Sequence, residues 1–235
     1  MPRIGRRAVG AVAVAAVMAL SAATAAMAPA QETIASRIAA YGTAARARIA
    51  PGFARAGVAY PPRSVTLVGL KRERVLEVYA GSAPSSQALV ASYPILAASG
   101  GPGPKLREGD NQVPEGIYGI ESLNPNSAFH LSLRVSYPSV TDRRRALVDR
   151  RTRLGGDIMI HGNAVSIGCL AMGDAAAEEL FVLAADTGLP RIAVILAPHD
   201  LRRDPRPPAL DPAPAWASTL YADIAAALGR LPSRR

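Results

Sequence analysis

The stretch Ile160-His161-Gly162-Asn163-Ala164-Val165-Ser166-Ile167-Gly168-Cys169-Leu170 sets a histidine eight positions before the chain's only cysteine. A cysteine attacks as its thiolate, and at an ordinary pKa of ~8.5 only a few per cent is ionised at neutral pH. A neighbouring imidazole removes that limit, because it takes the thiol proton and later returns it to a leaving amine. The intervening residues include two glycines and an asparagine, enough to turn the chain back and bring Cys169 alongside His161. Gly168 lets the backbone bend sharply, which makes the amides of Gly168 and Cys169 candidates for stabilising an oxyanion. This set of groups suits acyl transfer through a thioester. The competing reading is a small buried cysteine on a strand beside a structural histidine.

The remaining polar residues have duller explanations. His130 lies in an alternating apolar run and reads as structural, and His199 reads as exposed at the entry to a Pro-rich segment. A zinc site built from His130, His161 and His199 is disfavoured, since the chain has neither H-x-H nor H-E-x-x-H spacing. Ser166 lacks the first glycine of a G-x-S-x-G nucleophile elbow. Lys105 and Asn163 are candidates for binding substrate carboxylate or carbonyl groups, weighed evenly against plain loop structure. The Arg143–Arg145 run reads first as a solvated face.

The elements that must position this chemistry are mainly β. Ile34, Ile38, Tyr41, Ala45 and Ile49 recur at helical spacing, so an amphipathic helix is expected from Thr33 to Ile49, broken by Pro51-Gly52. From Ser64 the pattern changes. Val65–Val68 and Val75–Tyr79 flank the polar turn Lys71–Arg74 as a hairpin. Further strands are expected over Ala88–Tyr93, Gly116–Glu121, Phe129–Val135, Gly156–Ile160 and Ile192–Ala197, with a long loop from Gly100 to Gly116. Thr141–Arg153 reads as a short helix or a mobile lid. Asp174 is the expected N-cap of a helix ending near Thr187, stopped by Gly188. Pro198–Pro214 reads as a linker, Trp216–Leu228 as a helix, and Arg230–Arg235 as a loose tail. The division expected is 1–30, 31–63, 64–197 and 198–235.

Composition narrows the function classes. The 235 residues are 49% hydrophobic and 19% charged, which allows a real core and argues against wholesale disorder. Lys and Arg number 27 against 18 Asp and Glu, a net charge of +9 that favours an anionic partner. Nucleic acid is not expected: basic–aromatic interleaving, helix-turn-helix and finger spacing are all missing. Arg3, Arg6 and Arg7, the apolar run Ala8–Leu20, and A-x-A sites at Ala23–Ala25 and Ala28–Ala30 read as a cleaved secretory signal over residues 1–30. No later stretch is long enough to span a bilayer, so no transmembrane helix is expected in the mature chain. Export makes the lone Cys169 notable, since oxidising compartments favour paired cysteines.

Ile160-His161-Gly162 and Ser166-Ile167-Gly168-Cys169-Leu170 resemble the signature of the L,D-transpeptidase catalytic domain, or YkuD, family: I-H-G, a gap, then S-x-G-C and an apolar residue. The run Gly109–Tyr118 is similar to the family's upstream G-(x)n-T-P-x-G-x-Y element, with Val113 for Thr. The resemblance covers roughly 64–197. The gap is shorter than in the commoner form, Ile167 stands where that form has a second His, and Ala171 replaces a common Arg. This short form resembles a proteobacterial subgroup that includes a murein enzyme detaching an outer-membrane lipoprotein from peptidoglycan. The resemblance implies a mainly β, sandwich-like catalytic fold with helical additions at both ends, located in the periplasm or cell envelope. It implies that Cys169 attacks the third residue of a peptidoglycan stem peptide, usually meso-diaminopimelate, with His161 as base and then acid. The Gly162 carbonyl would orient His161, and Ser166 would shape the loop. Neither metal nor cofactor is implied. An amine resolving the thioester gives transpeptidation, and water gives hydrolysis by a carboxypeptidase, an endopeptidase or a lipoprotein-releasing amidase. The reading from another class is a non-catalytic peptidoglycan-binding protein that kept the fold.

Overall fold

The computed structural model describes residues 31–232. The expected signal segment, residues 1–30, and the last three residues of the expected loose tail lie outside them. Among the described residues no helix is long and apolar enough to cross a membrane.

Helix α1 spans Ile34–Ala56. Thr33 caps it: its hydroxyl accepts the Ser36 N–H at 3.0 Å while the Ser36 hydroxyl accepts the Thr33 N–H at 2.9 Å. The sequence reading broke this helix at Pro51-Gly52, yet the helix runs through both and stops at Gly57, in the left-handed region with φ 64°. Tertiary packing overrides the local signal. Gly52 is pressed onto a strand, and a Cβ there would lie 1.9 Å from the carbonyl oxygen of Val90. The missing side chain thus sets how closely the helix approaches the sheet, and Ile49 and Phe53 beside it enter the main core.

The strands are β1 Ser64–Leu70, β2 Val75–Gly81, β3 Gln87–Pro94, β4 Gly116–Ser127, β5 His130–Val135, β6 Met159–His161, β7 Leu170–Ala171 and β8 Ile192–Ala197. They form one mixed eight-stranded sheet in the order β3-β2-β1-β8-β4-β5-β6-β7. β4 turns the corner: Gly116–Gly119 pair with β8 and Ile120–Ser127 with β5. It runs past its expected end at Glu121 and through Pro125, because the pairing with β5 skips between Asn124 and Ser127 and asks no ladder N–H of the proline. The far edge then returns to the first. Ala171 of β7 exchanges hydrogen bonds with the segment that follows β3, its N–H donating to Ala97 O at 2.9 Å and its carbonyl accepting the Leu96 N–H at 2.8 Å.

Period-two alternation divides the core. In β1, Val65 and Leu67 face one way and Val68 and Leu70 the other; in β8, Ile192, Val194 and Leu196 oppose Ile195 and Ala197. The first face packs under α1 and α3 (Asp174–Thr187), and the second under α4 (Ala217–Leu228). The terminal segments are therefore integral to the core. Arg46 forms two bonds of 2.8 Å with Asp186 of α3, and Arg48 reaches Glu178 and Glu179. The buried carboxylate of Glu115 joins three separate segments. It accepts bonds from Lys71 Nζ at 2.9 Å, the Gly103 N–H at 2.9 Å and the Tyr221 hydroxyl at 2.7 Å.

Several local expectations are corrected. Thr141–Arg153 yields a helix, α2 (Val140–Val148), capped by Ser139 with Asp142. Gly173, at φ 77°, is the N-cap of α3 in place of Asp174, which is its first helical residue. The expected linker 198–214 has no regular strand or helix but is packed. Leu201 is buried, and Arg202 bonds Asp200 at 2.7 Å and Glu77 at 2.8 Å. His199, expected to be exposed, is only 5% exposed, with Nε2 3.0 Å from the carbonyl of Asp204. The start of the expected loose tail is also held: Leu231 is buried, and the Pro232 carbonyl accepts the Tyr79 hydroxyl at 3.1 Å.

Replacing Gly52 by Ala must push α1 off Val90. We expect a loss of about 1–3 kcal/mol of unfolding free energy in a urea titration, and an unchanged midpoint would show that the contact is dispensable.

Candidate active site

Ile160 points into the core, so Met159 and His161 occupy the opposite face of β6. β7 lies parallel to β6, with Ile160 opposite Leu170 and His161 opposite Ala171. One step back in that register Cys169 sits beside Met159, whose N–H meets Sγ at 3.4 Å. Paired residues of parallel strands share a face, so Cys169 and His161 share one. They are one strand spacing apart laterally and two residues apart along the strand, about 8 Å between backbones. The Ala171–Ala97 bridge holds the other side of the cysteine strand.

His161 is 2% exposed. Its Nδ1 lies 2.6 Å from the carbonyl oxygen of Gly162. A carbonyl can only accept, so Nδ1 carries the proton and Nε2 presents its lone pair. Phe129 lies against the imidazole, ring centres 4.7 Å apart. Burial pushes the imidazole pKa down, against a smaller upward effect of the Gly162 bond. Burial pushes the Cys169 thiol up, the Met159 N–H opposes this, and the charges of Asp157 and Lys105 act in opposite senses. Burial thus disfavours the charged form of both groups. The thiol hydrogen bonds run to the Met159 N–H and, at 3.5 Å, to the Asp157 carbonyl, not to the ring.

The expected oxyanion donors are both engaged. The Gly168 N–H donates to the Ser99 hydroxyl, and the Cys169 N–H donates to the Ser166 hydroxyl at 2.9 Å. Buried amides need partners when no ligand supplies them. Ser166 also donates to the carbonyl of Cys169 at 2.6 Å, closing a tight loop around the cysteine. Gly168 has φ 92°, a conformation that favours glycine. Gly162 is needed for space: a Cβ there would lie 2.5 Å from the Asp174 carboxylate.

Lys105 and Asn163 are placed differently from each other. The Lys105 ammonium is bonded to Asp110 at 2.5 Å and to the Arg107 carbonyl at 2.9 Å. Burial alone would raise the Asp110 pKa, but Lys105 and the amides of Arg107, Leu106 and Gln112 outweigh it and hold the carboxyl below its ordinary value. Lys105 nevertheless lines, with Asn111, Asp157, Ile167 and Gly168, a polar cleft of about 180 Å³ beside Cys169. Asn163 serves the loop itself: its N–H donates to Asp174 at 2.7 Å and its side-chain oxygen accepts the Ala164 N–H at 2.6 Å. His130 lies between Glu178, at 3.0 Å, and the ring of Tyr41. Among the described residues no group of three or more His, Cys, Asp or Glu is placed to hold a metal ion. The sequence reading missed Phe129 as the cover of His161 and Ser99 as the partner of Gly168. No local signal marks Ser99, which lies 69 positions from Gly168.

The profile of the YkuD L,D-transpeptidase catalytic domain matches residues 63–193, more than half of the chain. The chain belongs to this family. It is 35% identical over 133 residues to YafK of Escherichia coli strain K12, and equally to that of strain O157:H7, covering 54% of this chain and 51% of each relative. This family member therefore spans about half the length of the curated relatives it matches. Among solved structures it is similar to the helical cell shape determining protein Pgp2 of Campylobacter jejuni (TM-score 0.48, 18% identity, 69% of this chain and 53% of that one). It is also similar to L,D-transpeptidase 1 of Mycobacterium tuberculosis (TM-score 0.34, 14% identity, 57% and 62%).

The lowered imidazole and raised thiol make a pH prediction. As pH falls, the His161 base persists to below the ordinary histidine value and is then lost. NMR titration of His161 is expected to give a midpoint below about 6.5, and iodoacetamide alkylation of Cys169 a midpoint above about 8.5. A thiol midpoint below the ordinary value would mean that the pair rests as thiolate and imidazolium.

Proposed function

We propose that this protein is an exported peptidoglycan acyl-transfer enzyme using a cysteine thioester. Cys169 attacks the carbonyl of the third stem-peptide residue, usually meso-diaminopimelate. His161 Nε2 takes the thiol proton as the carbon–sulfur bond forms, then gives it to the departing amine as the peptide bond breaks. An amine acceptor then displaces the thiolate and forms a cross-link. Water in its place gives cleavage, and a peptidoglycan-linked lipoprotein is one substrate on which that cleavage would act.

The observation that supports this reading is the register of β6 and β7, in which Cys169 and His161 fall on the same side of the paired strands, with a polar cleft lined by the neighbouring Gly168 and Ile167. The imidazole tautomer fits the base role, because the Gly162 carbonyl keeps Nδ1 protonated and leaves Nε2 to act. In this scheme the substrate carbonyl takes the Gly168 and Cys169 amides from Ser99 and Ser166 as the oxyanion develops. Residues 1–30 carry the basic, apolar and small-residue order of a secretory signal, which supports export to the periplasm.

Cys169→Ala is expected to abolish turnover of purified stem peptides, and His161→Gln to slow it by about 10²-fold or more. Mass spectrometry after incubation with a carbapenem, which acylates enzymes of this family, should show a covalent adduct on Cys169. Full turnover by Cys169→Ala would overturn the mechanism. Normal binding to sacculi with no adduct would point to the non-catalytic reading. Product analysis with and without an amine acceptor separates transfer from hydrolysis.

A further inference from the structure

Helix α2 presents its apolar side chains outward. Val140 is 64% exposed, Leu147 78% and Val148 76%, so three of the nine large hydrophobic residues exposed among the described residues fall within nine residues of chain. At about 100° per residue, Val140, Arg143, Arg144, Leu147 and Val148 share an arc of roughly 140°. Asp142, Arg145 and Ala146 occupy the opposite arc. There Ala146 is buried, Arg145 pairs with Asp223 and lies over the Trp216 ring, and Asp142 closes the cap. The outer face is thus aliphatic and cationic. The guanidinium groups of Arg144, and of Arg150 just past the helix, have no ion pair or hydrogen bond among the described residues, and the Arg143 guanidinium meets only the Pro138 carbonyl.

We propose that the outward face of α2 docks on an anionic lipid bilayer. Charge complementarity supplies the first argument: exposed arginines without acidic partners seek phosphates, and a net charge of +9, of which +6 lies outside residues 1–30, adds long-range attraction. The second is the interleaving of valine and leucine with arginine. An acidic hydrophilic polymer would satisfy the guanidinium groups and leave the aliphatic side chains in water. A bilayer interface satisfies both, with headgroup phosphates lying above an apolar layer. The third is shape. The face is the convex side of one short helix, and the neighbouring cleft, lined by Thr141, Asp142, Arg145, Asp223 and Arg230, opens on the other side toward α4. A partner protein inserting an anchor residue would need a recess on the outer side.

The test is co-sedimentation of the full chain with phosphatidylcholine vesicles, with and without about one quarter phosphatidylglycerol. Residues 1–30 are identical in every variant, so differences report the α2 face. The wild type is expected to bind the anionic vesicles about tenfold better, and to lose most of that preference on raising salt from about 0.1 M to 1 M. Arg143→Glu/Arg144→Glu and Leu147→Ser/Val148→Ser should each weaken binding by about tenfold, with unfolding midpoints unchanged because all four residues are exposed. Arg55→Glu/Arg63→Glu makes the same charge change elsewhere on the exposed surface and should retain most of the binding. No preference for anionic vesicles would overturn the proposal, as would wild-type binding by both α2 variants or an equal loss in the control. Sedimentation equilibrium showing a dimer that the α2 variants dissolve, with no vesicle binding, would assign the face to a second copy.

Discussion

The site depends on one short parallel pairing, that of Leu170–Ala171 with Ile160–His161, closed on its other side by the bridge from Ala171 to Ala97. A two-residue strand fixes little by itself. Here it is held from both sides, so the residue before it cannot slide or rotate without breaking hydrogen bonds in two directions. A one-residue slip would carry Cys169 to the Ile160 face, into the core and away from the imidazole. The larger sheet serves this pairing: the corner in β4 and the return of β7 to the segment after β3 bring distant stretches of chain to either side of one sulfur.

Within that frame the electrostatics favour a resting state. Burial disfavours charge on both the His161 imidazole and the Cys169 thiol. The backbone amides of Gly168 and Cys169 are occupied by serine hydroxyls from within the protein. The same economy of polar groups governs the rest of the interior. Glu115 is buried with three donors from three segments, and Arg202 is enclosed by Asp200, Glu77 and Tyr79. Removing one member of such a set leaves an uncompensated charge, which costs more than the set contributes when intact.

The two faces of the sheet divide the labour. One face, under α1 and α3, carries most of the core and includes the strands of the site. The other is sealed by α4 and the irregular chain from 198 to 216, which brings Trp216 against Arg145 and Arg151 of the α2 region. An apparent Pro-rich linker thereby becomes a structural wall. Its prolines shape a path with few backbone donors to satisfy, while Leu201 and Leu210 provide its apolar contacts.

The sequence by itself determined the elements whose signals are local. The β1–β2 hairpin, β8 and the body of α3 with its stop at Gly188 were all legible from period and turn chemistry. Tertiary structure alone decided what depends on residues far apart in the chain. Pro51-Gly52 looks like a break until Val90 shows why a residue without a side chain is needed there. Gly168 and Cys169 look like free donors until Ser99 and Ser166 reach them. Lys105 looks available until Asp110 folds back on it, and His199 looks exposed until the following turn covers it. The physical reason is common to these cases: periodicity and propensity are properties of a segment, whereas burial, close approach and the partners of a polar group belong to whatever the fold sets beside it.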